Sequence, residues 1–347
     1  MPEEQKQDRA IAQYLKLLFR SLKTSPTITG MRTAYERVTQ SPNINIINAQ
    51  RTKTAPSLEE AISAFSMRWP EVESHFTSNP VFIFSAGWRA GSTLLQRLVS
   101  SSEKIVIWGE PYGHSGLIEH LSSPMRVFTY RYPRSDSFIG EAGGNKLANL
   151  AETWIANLNP DAKYFLEAQA TYLINLFEKP AQSYGALRWG IKEVRLTIDH
   201  AIYLNWLFPN SKFLFLYRNP YRAYSSYREF GKFNVWPYDY WYNTWPDDPI
   251  DTPSRFGQHW KTLLEGYLSG YQKVSSMVVK YEDLSRGELD FKALEEFLEI
   301  KLDKSILQNR VKGAPKRKSD ASSIQLEELK SAVEPLASQL GYEYPTA

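Results

Sequence analysis

Residues 82–98, FIFSAGWRAGSTLLQRL, constrain the possible folds of this chain more than any other stretch. An apolar run enters a small-residue turn, and the turn opens into a segment with helical spacing. That order predicts a buried strand, a tight connection and a helix, the unit from which parallel sheets are built. The turn from Ser85 to Thr93 holds Gly87, Gly91, the cation Arg89 and the hydroxyl pair Ser92-Thr93. Glycines allow close backbone approach to a ligand, and the guanidinium adds a fixed charge. Amides at a helix N-terminus lack intrahelical partners, and the helix dipole favours negative charge there, so the turn reads as an anion cradle.

A nucleoside-triphosphate loop would place Lys directly after its second glycine, with the next hydroxyl on magnesium. Here Ser92 follows Gly91 and the cation comes earlier, so ATP or GTP chemistry loses its main support. Taken alone, the turn is also compatible with a tight connection that binds nothing.

With 347 residues, the chain is long enough for one large α/β domain with elaborations, or two smaller ones. A net charge of +3 is too small to argue for nucleic acid. The chain has no cysteine, which excludes disulfides, thiolate catalysis and Cys-based zinc sites. Its five histidines are scattered without metal-ligand spacing, so no metal is expected. No segment approaches the length of a membrane span, and Glu3, Glu4, Lys6, Asp8 and Arg9 make the N-terminus too charged for a signal peptide. The expected compartment is a reducing cytoplasm.

Short apolar runs alternating with helical stretches predict a mainly parallel sheet with strands at 81–85, 104–108, 188–192, 212–217 and 276–280. Expected helices cover 8–23, with Ile11, Tyr14, Leu15, Leu18 and Leu22 on one face, and a segment opened by the capping box Ser57-x-x-Glu60 and ending near Pro70. Further helices are expected at 145–178, 258–274, 291–299 and 324–340, the last broken by Pro335. Aromatic residues make up 14% of the chain, and eight of them crowd residues 230–245. No helical or strand period explains that crowding, so the stretch reads as a lid or as the lining of a binding site.

Residues 212–228, KFLFLYRNPYRAYSSYR, repeat the strand-then-helix plan. Arg218 stands at the strand's carboxyl end, Asn219-Pro220 turns the chain into a helix, and Ser226 follows two turns later. An Arg and a Ser so placed can grip one phosphate group, although singly they also suit an ion pair and a helix-surface hydroxyl. Parallel strands bring their carboxyl ends to one edge of the sheet. Two cradles on that edge suit a nucleotide phosphorylated at both ends.

In these features the chain resembles the sulfotransferase family, most closely its tyrosylprotein sulfotransferase branch. The resemblance covers about residues 80–300. It is carried by Arg89-Ala90-Gly91-Ser92-Thr93, by Arg218 with Ser226, and by FPNSKFL (208–214) and VVKYEDL (278–284). It implies a P-loop-like three-layer α/β/α fold, with residues 1–79 as a helical extension on the core. Residues 80–347 would form the catalytic domain, with an aromatic-rich insertion at about 229–257. The implied donor is 3′-phosphoadenosine 5′-phosphosulfate, leaving as adenosine 3′,5′-bisphosphate. Gly87, Trp88, Arg89, Ala90, Gly91, Ser92 and Thr93 would hold its 5′-phosphosulfate, and Arg218 and Ser226 its 3′-phosphate.

The branch keeps a catalytic Glu where this chain has Glu110, in WGEPYGH (108–114), which makes Glu110 the expected general base. His114 is the rival, since other sulfotransferases use histidine, and His259, in an expected helix, is a weaker one. Lys192 matches a Lys that contacts the donor's sulfate, and Arg89 adds charge there. Glu193 would set the position of Lys192, or serve as base in place of Glu110. The family's usual Asp-Pro after that Lys is here Glu193-Val194, and its late catalytic Ser has no match near residue 290. A C-terminal phosphate loop corresponds to Val311-Lys312-Gly313 with Lys316-Arg317-Lys318.

The acceptor is expected to be a hydroxyl, with Trp236, Tyr240 and Trp241 able to stack on sugar or phenol rings. A carbohydrate or glycoconjugate is favoured over a protein tyrosine, because a Golgi-type tyrosine enzyme would need an anchor and lumenal cysteines. A phenol or small alcohol is the alternative acceptor. A small-molecule kinase and a non-catalytic nucleotide-binding protein are alternatives of other classes, and the oligomeric state is open.

Overall fold

The computed structural model describes residues 55–139, 156–231, 250–308 and 321–345. The first element is α1 (Leu58–Arg68), opened by the capping box in which Glu60 N–H donates to Ser57 Oγ at 3.1 Å and Ser57 N–H to Glu60 Oε2 at 2.8 Å. Then come β1 (Val81–Ser85), α2 (Ser92–Ser100), β2 (Ile105–Gly109) and the short α3 (Leu117–Ser122). Helix α4 (Ala162–Leu173) runs on through a π-helical turn, Ile174–Glu178, and a last helical turn, Lys179–Ser183. It is followed by β3 (Arg188–Glu193), α5 (Ile198–Leu207), β4 (Lys212–Tyr217) and α6 (Pro220–Gly231). The chain continues with α7 (Pro253–Gly270), β5 (Ser276–Lys280), α8 (Tyr281–Arg286), α9 (Phe291–Leu298), α10 (Ser323–Val333) and α11 (Leu336–Gln339).

All five strands are parallel, in the order β2-β3-β1-β4-β5. The expected strands therefore stand within a residue of where the sequence placed them. The central pair is nearly continuous apolar sequence because it is covered on both faces. Alternation along each strand sorts the side chains. Phe82, Phe84, Trp189, Phe213 and Phe215 join one buried cluster, together with residues of α1, α4, α5 and α7. Val81, Ile83, Leu214 and Leu216 join the other, with Leu95, Leu98, Leu294 and Leu298 of α2 and α9. The sheet is thus packed by rings on one side and by aliphatic chains on the other, in a three-layer α/β arrangement. Much of the aromatic excess fills this core, as when Phe215 stacks on Tyr267 at 4.7 Å.

Residues Pro56–Ala347 form one compact unit, and α1 belongs to it through the buried side chains of Leu58, Ala61 and Phe65. Helix α7 begins five residues earlier than the sequence suggests, because Thr252 caps it (Arg255 N–H to Oγ1, 3.2 Å) and Pro253 occupies its first turn. The expected helix at 8–23 and the first part of the one at 145–178 lie outside the described residues. Among the described residues no helix is long and apolar enough to cross a membrane. No cluster of three or more His, Asp or Glu able to hold a metal occurs among them either.

Candidate active site

Parallel order makes the carboxyl edge of the sheet the place where side chains from different strands converge. A cavity of about 310 Å³ opens there, lined by Trp88, Arg89, Gly91, Ser92, Thr93, Glu110, Val194, Arg218 and Tyr281. Glu110, Val194, Arg218 and Tyr281 are the first residues beyond β2, β3, β4 and β5, respectively. The turn after β1 and the first two residues of α2 supply the other five. The five strands therefore each contribute to one cavity, of a size suited to a small-molecule ligand.

The turn after β1 is shaped for an anion. Gly91 is the N-cap of α2 with φ 92°, and no side chain caps that helix. A Cβ on Gly91 would stand 2.1 Å from Tyr281 Cδ2, so only glycine fits between the loop and that ring. Arg89 also takes positive φ, at 63°. Its Nε–H donates to Ser226 Oγ at 3.0 Å, while its carbonyl accepts from Arg218 Nη1–H at 2.8 Å. The two motifs separated by more than a hundred residues in sequence are thus tied directly together.

Arg218 is further placed by α7, where Trp260 Nε1–H donates to the Arg218 carbonyl at 3.0 Å. Its guanidinium lies 4.3 Å from the centroid of the Tyr281 ring. Burial pulls the Arg89 and Arg218 guanidinium groups below the ordinary arginine value, and for Arg218 the charges of Arg89 and Arg222 add to the effect. Both stay cationic at any physiological pH, so the cavity concentrates positive charge at a cost that a bound anion would relieve. Arg218 Nε and Trp88 Nε1 are buried with no hydrogen-bond partner among the described residues. Such atoms ordinarily find an acceptor.

Glu110 forms an ion pair with Lys192, whose side chain is buried at the end of β3. The pair is set by backbone as well, since Glu110 N–H donates to the Lys192 carbonyl at 2.7 Å. Glu110 has φ 27° and Tyr112 has φ 57°. Non-glycine residues in such conformations cost on the order of 1–3 kcal/mol each and persist where the surroundings over-determine them. Such strain gathers at functional sites.

Glu193 points away from Lys192 and instead binds Arg195, with Arg195 Nη2–H donating to Oε1 at 2.7 Å and Nε–H to Oε2 at 3.2 Å. Burial pushes its carboxyl up, opposed by the Arg195 charge. His259 is buried in α7 and its Nε2 lies 3.0 Å from the Val194 carbonyl, so Nε2 carries the proton. The ring also packs on Trp88, at 4.8 Å between centroids. Burial pushes the His259 imidazole down to about 3. It is a neutral prop for the loop.

Trp88, Arg89, Gly91, Ser92, Thr93, Glu110 and Arg218 therefore line one cavity. Lys192 and Ser226 join it through Glu110 and Arg89, and Gly87 and Ala90 are buried in the turn itself. The sequence reading missed Tyr281 and Val194. Both could have been found from the rule that the residue just past a parallel strand faces the ligand edge. Trp236, Tyr240, Trp241, Lys312 and Gly313 lie outside the described residues, as does the side chain of His114.

A model of the sulfotransferase family matches residues 80–304, more than half of the chain. Among solved structures, the chain is similar to the sulfotransferase domain of the Synechococcus PCC 7002 olefin synthase, with 17% identity over 79% of this chain and 98% of that one, and a TM-score of 0.44. It is similar to the sulfotransferase domain of the curacin biosynthetic pathway, with 18% identity over 77% and 99% of the two chains and a TM-score of 0.40. For sulfotransferase STF9 from Mycobacterium avium the identity is 16% over 84% and 85%, with a TM-score of 0.41. A comparison with proteins of curated function gives no match. On the extent of the family-model match, the chain belongs to the sulfotransferase family.

Proposed function

We propose that this protein moves a sulfuryl group from 3′-phosphoadenosine 5′-phosphosulfate to a hydroxyl acceptor, with Glu110 as general base. The observation that carries the proposal is the convergence of Arg89, Ser92, Thr93, Arg218 and Glu110 on one cavity in a chain of this family. The residues present suit such a donor. The uncapped N-terminus of α2, Arg89, Ser92, Thr93 and Lys192 would hold the 5′-phosphosulfate. Arg218 and Ser226 would hold the 3′-phosphate, with the buried Arg218 Nε supplying a donor that has no acceptor among the described residues. Ser226 accepts from Arg89 and keeps its own proton to donate.

When bound, the donor supplies an activated sulfuryl group whose bond to phosphate breaks as the bond to the acceptor oxygen forms. The protein's part is positioning and electrostatics, by analogy with phosphoryl transfer. Glu110 Oε takes the acceptor's proton as its oxygen attacks. Lys192, paired with Glu110, offers a cation where charge grows on the departing oxygens. Arg89 and Arg218 keep the phosphates neutralised. On sequence grounds a carbohydrate hydroxyl is the favoured acceptor class, since the aromatic stretch 230–245 can stack on sugar rings and Asp239, Asp247, Asp248 and Asp251 can bind sugar hydroxyls.

The test is a screen with isotopically labelled donor against sugars, glycoconjugates, phenols and alcohols, followed by mass spectrometry of the product. A sulfated product that disappears in Glu110→Gln is expected. Tight binding of adenosine 3′,5′-bisphosphate with no transfer to any acceptor would instead make the chain a nucleotide-binding module.

A further inference from the structure

The turn that carries Glu110 is held in an unfavourable backbone conformation by three hydrogen bonds. Glu110 N–H donates to the Lys192 carbonyl at 2.7 Å and Gly113 N–H to the Glu110 carbonyl at 2.9 Å. The third comes from Arg195, whose Nη2–H donates to the Gly113 carbonyl at 2.6 Å. Positive φ at the non-glycine residues Glu110 and Tyr112 means the segment would relax elsewhere without these ties. Two of the three originate on β3 and the residues just past it.

Arg195 is only 4% exposed and Glu193 only 5%. Their two-point contact is completed by Val194 N–H, which donates to Glu193 Oε2 at 2.9 Å. Buried ion pairs of this kind contribute little net stability, because desolvation offsets their attraction. Stability alone therefore does not explain the pair. Neither residue lines the cavity. What the pair does, geometrically, is aim one guanidinium N–H across from the end of β3 at the turn beyond β2.

We propose that Arg195, oriented by Glu193, is the positioning residue of the Glu110 turn: it fixes the Gly113 carbonyl and so holds the Glu110 carboxylate on the cavity wall beside Lys192. The proposal rests on the reading of Glu110 as base. It also gives a role to the Glu193-Val194 pair that replaces the Asp-Pro expected after Lys192. Strand alternation turns Glu193 away from Lys192 and toward Arg195. The wall of the cavity at Val194 and the base are then set by the same three residues.

The double variant Glu193→Gln with Arg195→Met removes both charges together, so no buried ion is left unpaired and the fold is expected to persist with an unchanged or higher melting temperature. Its affinity for adenosine 3′,5′-bisphosphate, by calorimetry, is expected within about threefold of wild type, since the pair does not line the cavity. Amide hydrogen exchange at Glu110, Tyr112 and Gly113, the N–H groups of residues 110–113, read by mass spectrometry, is expected to rise about tenfold or more, and sulfuryl transfer to fall roughly 10- to 100-fold. Arg195→Lys keeps the charge but loses the planar fork, and the same pattern is expected if the double variant fails to fold. Unchanged exchange at 110–113, or faster exchange with wild-type turnover, overturns the proposal. Glu110→Gln assayed alongside separates the two ideas, because its full activity would remove Glu110 as base while the exchange measurement still decides what Arg195 holds.

Discussion

The contact between Gly91 and Tyr281 allows a quantitative test of how the cavity is built. Gly91→Ala introduces a Cβ at φ 92°, where an L-residue is strained by about 1–2 kcal/mol. The same carbon would fall 2.1 Å from Tyr281 Cδ2 and 2.3 Å from Cε2. That ring cannot swing away cheaply, because it faces the Arg218 guanidinium 4.3 Å away. Overpacking of this sort adds roughly 1–3 kcal/mol. The expected loss of stability for Gly91→Ala is therefore about 2–5 kcal/mol, read from urea midpoints at constant slope. Tyr281→Ala removes the atoms in the way, so the double variant should recover the overpacking part and leave only the backbone part. A double-mutant cycle is expected to give a coupling of about 1–3 kcal/mol. Strictly additive effects, or a Gly91→Ala loss well below 1 kcal/mol, would mean that the ring and the loop are not in contact as described.

Arg218→Ala removes charge-assisted hydrogen bonds worth about 1.5–3 kcal/mol, so adenosine 3′,5′-bisphosphate should bind roughly 10- to 100-fold more weakly in calorimetry. Unchanged affinity would remove Arg218 from the site. Glu110→Gln should reduce transfer by about 10²–10⁴-fold, the range for a lost general base, while leaving that nucleotide's affinity near wild type; full turnover would exclude it as base. His259 is neutral in the fold at pH values where the unfolded chain takes up a proton. Its contribution is therefore complete above the ordinary histidine value and is lost as pH falls toward about 3. The slope is at most about 1.4 kcal/mol per pH unit. Urea midpoints at pH 7 and pH 5 should diverge in wild type and less so in His259→Gln, and equal divergence would contradict the burial of a neutral ring.

The sheet was legible because its strands are buried on both faces, which leaves apolar runs inside Val81–Ser85 and Lys212–Tyr217 with little ambiguity. The cradle was legible because Arg89, Ser92 and Thr93 fall in the turn and helix start that follow β1, and Arg218 just past β4, whereas Glu110 was pointed to by the family resemblance. What sequence did not disclose is lateral. The bond from Arg89 to Ser226, the ring of Tyr281 against Gly91 and the reach of Arg195 to Gly113 all join elements whose neighbours are fixed only by strand order. The order β2-β3-β1-β4-β5 is a property of the whole core, and periodicity along one strand carries no information about it. In sequence His259 reads as a weaker rival base on a helix, whereas in the fold it is a buried prop. Its partner, the Val194 carbonyl, stands just past β3, sixty-five residues earlier. The π-helical turn at Ile174–Glu178 was also invisible, because its sequence, INLFE, has ordinary helical spacing.

A crystal structure with adenosine 3′,5′-bisphosphate bound would test the central claim most directly. The 5′-phosphate is expected against the amides of Ser92 and Thr93 and the 3′-phosphate within hydrogen-bond distance of the Arg218 guanidinium, with the Glu110 carboxylate open to the acceptor side. A nucleotide seated elsewhere, or with either phosphate turned away from these groups, would contradict the assignment of this cavity as a sulfuryl-donor site.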